Sequence, residues 1–283
     1  MEWIMNAVFF ICGFVAIVFV LFISIYLIIS GLPAIREIGL VDFLFGREWA
    51  STASDPKFGI LPFILTSIYG TCGAIILGVP VGFMTAVFLA KVAPPKLAAV
   101  VRPAVDLLAG IPSIVYGFFG LMVIVPLVQD LFGAPSGQNM LTASILLGIM
   151  ILPTIISVSE SSIRAVPDSY YEGALALGAS HERSVFFVTV PAAKSGIMAG
   201  IILGVGRAIG ETMAVIMIAG NQPRIPDSLL EGVRTLTGNI VMEMGYAQGL
   251  HREALIATGV VLFVFILIIN LLFSILKRKE SKA

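Results

Sequence analysis

Long apolar runs alternate with short polar connections along this chain, and the runs are apolar all the way round. Six of them, at roughly 7–30, 61–90, 103–128, 141–160, 195–219 and 254–276, approach or exceed the ~20 residues an α-helix needs to cross a ~30 Å hydrocarbon layer. The pattern predicts an all-α membrane protein with six transmembrane helices and both termini on one side. The first run carries Glu2, has no basic residues ahead of it and lacks a small-x-small cleavage site. It is therefore expected to remain as a span. The expected division is 1–60 as a first helix with an external segment, 61–276 as the transmembrane core, and 277–283 as a basic tail.

Composition agrees. Of 283 residues, 58% are hydrophobic and 12% charged, with a mean hydropathy of +1.04. A soluble domain of this size cannot cover that much apolar surface. The net charge of zero says nothing about a charged partner, and no nucleic-acid partner is expected. Cys12 and Cys72 lie inside apolar runs and read as small lipid- or core-facing residues. His181 and His251 read as isolated, solvent-side residues without a metal role.

Lysine and arginine orient the bundle. One set of connections holds Lys91, Lys96, Arg102, Arg164, Arg183, Lys194, Lys277, Arg278, Lys279 and Lys282. The other holds Arg36, Arg47, Lys57, Arg224, Arg234 and Arg252. The bias places both termini and the segment 161–194 in the cytoplasm. Arg102 and Asp106 are spaced to pair at i,i+4 near that edge, and Glu160 is placed to position the 161–194 segment. No sequence repeat is visible.

That segment is too polar for lipid and too structured for a plain connector. Pro167-Asp168-Ser169 starts a helix, with proline at the first helical position. Gly178 fits the position after its end, where a left-handed backbone is tolerated. Ser180 caps a second helix through Val188, and Pro191 marks the return to the membrane. Composition alone allows an amphipathic hairpin that merely links two spans.

Deep in the fifth run, Gly204-Val-Gly206-Arg207-Ala-Ile-Gly210-Glu211-Thr212 sets a charge near the membrane middle. Such a charge is costly unless paired or wet. In a continuous helix Glu211 follows Arg207 at i+4 on the same face. Gly196, Gly200 and Gly204 share that face, so it meets another helix or a water-filled path rather than lipid. Two readings stand: a buried ion pair that fixes register, or a site on an anion pathway, where a guanidinium suits oxyanion oxygens. The glycines only imitate a dinucleotide fingerprint, because no strand precedes them. In the third run Pro112 breaks or kinks the helix and exposes backbone near Ser113 and Tyr116.

Glu172-x-Ala174-x3-Gly178-x9-Val188-x-Val190-Pro191 resembles the EAA signature of ABC-importer permeases, E-A-A-x3-G-x9-I-x-L-P. Gly173 stands in place of its first alanine, and Val188 and Val190 in place of its isoleucine and leucine. Gly206-Arg-Ala-Ile-Gly-Glu-Thr-Met-Ala214, Leu108-Ala-Gly-Ile-Pro-Ser-Ile-Val-Tyr-Gly117 and Phe58-Gly-Ile-Leu-Pro-Phe63 resemble motifs of the permeases of phosphate-specific ABC importers, and of the PstC type within them. The resemblance covers nearly the whole chain. It implies the type I importer permease (MetI-like) fold in a bacterial inner membrane and translocation of inorganic phosphate. Glu172, Ala174, Gly178 and Pro191 become part of a coupling loop that docks on an ATP-hydrolysing subunit. Arg207 and Glu211 become pathway residues, with Thr212, Ser113 and Tyr116 as further candidates. Implied partners are a second permease, two cytoplasmic ATP-binding subunits and an external phosphate-binding protein. The chain carries no G-x4-G-K-[ST] loop, so it is expected to bind no cofactor and to be no enzyme, with ATP used by a partner. Another oxyanion or small solute remains open, as do, further off, an intramembrane enzyme and a channel.

Overall fold

The computed structural model describes residues 2–280, with side chains for 5–272 and 275. The basic side chains of the 277–283 tail lie outside the described residues. In chain order the elements are α1 (Glu2–Ile38), α2 (Leu40–Phe45), a short hairpin of β1 (Trp49–Ala50) and β2 (Lys57–Phe58), α3 (Leu61–Val87), α4 (Pro95–Gly110), α5 (Ser113–Phe119), α6 (Val125–Phe132), α7 (Met140–Arg164), α8 (Asp168–Ala176), α9 (His181–Ser184), α10 (Val190–Ala192), α11 (Lys194–Gly210), α12 (Met213–Ile218), α13 (Leu236–Glu243) and α14 (Gly249–Glu280). Wider π-turns at Phe88–Val92, Gly120–Ile124 and Val185–Thr189 extend α3, join α5 to α6 and join α9 to α10.

Among the described residues, five helices are long and apolar enough to cross a bilayer, and a sixth span results if the pair His181–Ala192 and Lys194–Gly210, bent by 71°, is taken as one. Two expected spans are redrawn. The third begins at Ser113 and runs to Phe132, with α4 as a separate helix ahead of it. The fifth is divided, because α11 stops at Gly210 and α12 starts at Met213.

α7 is the central post. Asn139 caps it by accepting the Thr142 N–H through its side chain at 3.0 Å, satisfying one of the orphan donors at a helix start. Glycine permits the close packing around it. α3 runs parallel to α7, with Gly73 against Ser144, Gly78 against Gly148 and Ile151, and Gly82 against Ile155. α11 runs antiparallel on the other side, with Gly196 against Ser162, Gly200 against Val158 and Ser159, and Gly204 against Ile155. Lipid offers no hydrophobic drive between helices, so small residues and tight van der Waals contact hold such a bundle. α1 and α14 form an outer antiparallel pair, joined where Gly31 meets Ala257. The hairpin lies at one end of this bundle, and α8 to α10 form the elbow at the other. Cys12 and Cys72 are free thiols on exposed helix faces.

Candidate translocation site and coupling elbow

Two helices of the bundle are broken in the same way. α4 ends at Ile111, with φ −68° and ψ 127°. α11 ends at Glu211, with φ −70° and ψ 127°. The short helices beyond the breaks, α5 and α12, lie against each other: a Cβ on Gly117 would stand 2.9 Å from Ala214 Cα. The breaks therefore belong to one region.

The third-span break follows from Pro112. Proline has no N–H and pushes the preceding residue into an extended conformation. The carbonyl it leaves unserved four residues back is that of Leu108, and the Tyr116 hydroxyl donates to this oxygen at 2.8 Å. Tyr116 is 5% exposed. Its phenol thus acts first as a clamp on the break. Ser113 opens α5 half-buried.

The fifth-span break has no proline. The Glu211 carboxylate accepts the Ala214 N–H at 3.3 Å, capping α12. The Glu211 carbonyl accepts the Thr237 hydroxyl at 3.2 Å. Thr212 donates back to the Gly210 carbonyl at 3.3 Å. Beyond α12, Asn221 in a left-handed conformation (φ 54°) donates to the Ile216 carbonyl at 2.7 Å, and Gln138 donates to the Met217 carbonyl at 2.8 Å. The short helix is held at both ends by tertiary hydrogen bonds.

This corrects the expected Arg207–Glu211 pair. The i,i+4 geometry requires a continuous helix, and the helix stops between these residues. Glu211 turns to cap α12. Arg207 remains half-buried in the last turn of α11, and among the described residues it makes no ion pair. It lies one turn before the fifth-span break at Glu211. Arg207, Tyr116, Ser113, Glu211 and Thr212 therefore all flank the two breaks. A small cavity beside Glu211 carries the hydroxyls of Thr66, Ser67, Thr71 and Thr235.

The elbow matches its expectation closely. The Gly178 N–H reaches the Leu175 carbonyl at 2.9 Å and the Ala179 N–H reaches the Ala174 carbonyl at 3.1 Å. This paired pattern needs a left-handed residue at the turn, and Gly178 has φ 85°. Ser180 caps α9 by accepting the Arg183 N–H at 3.4 Å. Pro167 is the cap of α8 rather than its first residue. The second helix is shorter than expected and widens into a π-turn before Pro191. Glu172, Gly178 and Pro191 are exposed and Ala174 half-buried. α8 has no buried residue, and Leu177 is 91% exposed. His181 is not isolated: it shares a 2.7 Å hydrogen bond with the Tyr171 hydroxyl.

Two ion clusters escaped the sequence reading. Arg102 pairs across helices with Glu160 at 2.6 Å, not with Asp106. At the hairpin end, Glu243 accepts from Trp49 Nε1 at 2.9 Å, Ser51 at 3.0 Å and Arg234 at 2.6 Å, and shares a 2.9 Å contact with His251. His251 is thus a half-buried partner of Glu243 rather than an isolated residue. Burial alone would raise the Glu243 carboxyl, but these hydrogen bonds outweigh it and hold the group below its ordinary value. Partners far apart in sequence left no local signal for either cluster.

Membrane-length helices, an exposed elbow and two helices broken inside the bundle make this a multi-pass membrane protein. The chain belongs to the family of binding-protein-dependent transport system inner membrane components, whose profile matches residues 78–282. Among its relatives are a probable ABC transporter permease protein, YqgH, of Bacillus subtilis (37% identical over 93% of this chain and 88% of the relative). The phosphate transport system permease protein PstC of Haemophilus influenzae is 36% identical over 95% and 92%, and its Pasteurella multocida counterpart 34% over 85% and 82%. Solved structures share the fold. An inward-facing MetNI methionine ABC transporter matches at a TM-score of 0.61 and 16% identity over 78% of this chain and 97% of the other. A bacterial ABC transporter that imports alginate matches at 0.58 and 14% over 94% and 96%.

Proposed function

We propose that this chain is the PstC-type permease subunit of an ATP-driven importer that moves inorganic phosphate across the cell's inner membrane. The observation that carries the reading is Arg207: a guanidinium free of ion pairing among the described residues, held where two broken helices meet. A guanidinium offers planar donors to phosphate oxygens, and broken helices that line a path expose backbone to a passing solute. Relatives that bear the phosphate permease name support the choice of solute.

In this reading the elbow and both termini face the cytoplasm, in keeping with the excess of lysine and arginine on that side. The exposed face of α8, with Glu172, Ala174 and Gly178, docks on an ATP-binding subunit, and Pro191 returns the chain to α11. Two such subunits use the ATP, and this chain binds no cofactor. A second permease completes the passage, and an external phosphate-binding protein delivers the solute to the hairpin end. Arg207 is the main pathway residue, with Glu211, Thr212, Ser113 and Tyr116 shaping the junction around it.

The test is purification of the intact complex from native membranes, followed by uptake into vesicles with phosphate and sulfate supplied in parallel. Recovery of an ATPase, a second permease and a phosphate-binding protein, with uptake of phosphate, is expected. Uptake of sulfate or another solute in preference to phosphate contradicts the assignment.

A further inference from the structure

We infer that Arg102 and Glu160 form a positioning pair that carries movement of the elbow to the third-span break, so that both broken helices are driven together. This rests on the reading that the elbow receives work from an ATPase.

The covalent route forward from the elbow reaches only one of the two breaks. Through Pro191 and the 71° bend it enters α11 and reaches Arg207 and the fifth-span break. α4 and α5, which carry the other break, lie earlier in the chain and receive nothing by that route. They need a contact, and the structure holds one beside the start of the elbow. Glu160 lies one turn before the end of α7, with its side chain 10% exposed. Its Oε1 accepts from Arg102 Nε on α4 at 2.6 Å and more weakly from Arg164 at 3.4 Å. The same Arg102 donates through a second nitrogen to the Leu89 carbonyl at 3.1 Å. One guanidinium therefore staples α4 to α7 and to the π-turn that ends α3.

The elbow grips that same π-turn. Lys91 reaches Asp168 at 3.2 Å and stands 5.6 Å from the Tyr171 ring, both on α8. A shift of α8 thus acts on residues 88–92 directly and on Arg102 through Leu89. Apolar packing of Leu89, Ala98, Val105 and Ile156 surrounds the staple, so the three elements move as a unit. From Arg102 to Gly110 the chain stays helical, an arm of about 12 Å at ~1.5 Å per residue. It ends at the break, beyond which α5 rests on α12. Movement delivered at Arg102 therefore arrives where the covalent route also arrives. A cavity of about 280 Å³ beside the pair, lined by Asp106, Ser157, Ser161 and Arg164 among others, leaves it room to shift.

The test uses the whole complex in proteoliposomes and reads phosphate moved per ATP hydrolysed, with recovery of each subunit alongside. R102Q and E160Q are each expected to lower that ratio roughly tenfold, and the double variant to lower it no further, since partners in one contact act as a unit. D106N, which touches the same cavity but not the staple, should stay within about twofold of the parent. A ratio in E160Q within twofold of the parent overturns the proposal. So do single effects that multiply in the double variant, or a D106N effect as large as that of E160Q. If E160Q lowers recovery of the chain, R102K carries the same test: it keeps the charge but loses the two-nitrogen staple. A lowered ratio at full recovery supports the link, and an unchanged ratio overturns it. A parent complex without an ATPase defeats the docking reading itself, whereas an assembled complex with unchanged ratios defeats only the staple.

Discussion

The third and fifth spans share a backbone break and reach it by opposite means. In the third span the cause is local. Pro112 cannot donate, Ile111 is forced extended, and the Tyr116 hydroxyl serves the carbonyl left over at Leu108. In the fifth span nothing local compels a break, and Gly210-Glu211-Thr212 has no proline. Beside the local bonds of Glu211 and Thr212, groups from elsewhere hold the interruption: Thr237 on the Glu211 carbonyl and Gln138 on the far end of α12. A break written into the chain persists through any motion. One held by tertiary hydrogen bonds can be loosened or re-formed when the loops around it move. On this account the third-span break keeps its shape as α4 moves, and the fifth-span break is the adjustable one that carries the charge.

This contrast can be broken at several points. Arg207→Gln removes the charge from the adjustable side. Phosphate uptake should fall roughly a hundredfold, given ~1.5–3 kcal/mol for each hydrogen bond to a charged group, while membrane insertion measured by immunoblot is unchanged. Gly117→Val puts methyls where α5 and α12 touch. With ~1–3 kcal/mol for overpacking a tight contact, uptake should drop about thirtyfold without loss of the chain. Pro112→Ala lets α4 continue toward α5, and uptake should fall about tenfold, because the helix regains what proline denied it. Equal uptake in that variant would mean the third-span break is also held by tertiary contacts, and the contrast would disappear. Thr237→Val removes one hydrogen bond from the fifth-span break, worth ~1 kcal/mol. A reduction of roughly fivefold in uptake is expected, with a larger loss if that bond alone keeps Glu211 extended.

The same contrast explains what could be read from sequence. Span-length apolar runs, the capped elbow with Gly178 at its turn, and the break at Pro112 all depend on residues within a few positions of one another, and all were legible. The Arg207–Glu211 pair was misread for the complementary reason. A helical wheel presumes a continuous helix, and the interruption at Glu211 depends on Thr237, which is 26 residues away. Arg102 was assigned to Asp106 because i+4 is the only partner a local pattern can show, whereas its actual partner is 58 residues away. His251 looked solitary because Glu243 and Trp49 meet it only in the folded chain. The contacts between the candidate residues were set by the packing of α7, α11 and the connection after α12.

The central claim is that both breaks border one phosphate passage. Cysteine at position 113 or 212, in a chain with Cys12 and Cys72 changed to alanine, tests it most directly in the intact complex. The rate of modification by a small, water-soluble methanethiosulfonate is measured with and without phosphate. Both positions should react, and phosphate should slow both. Reaction at one position only, or rates at both that ignore phosphate, would contradict the account.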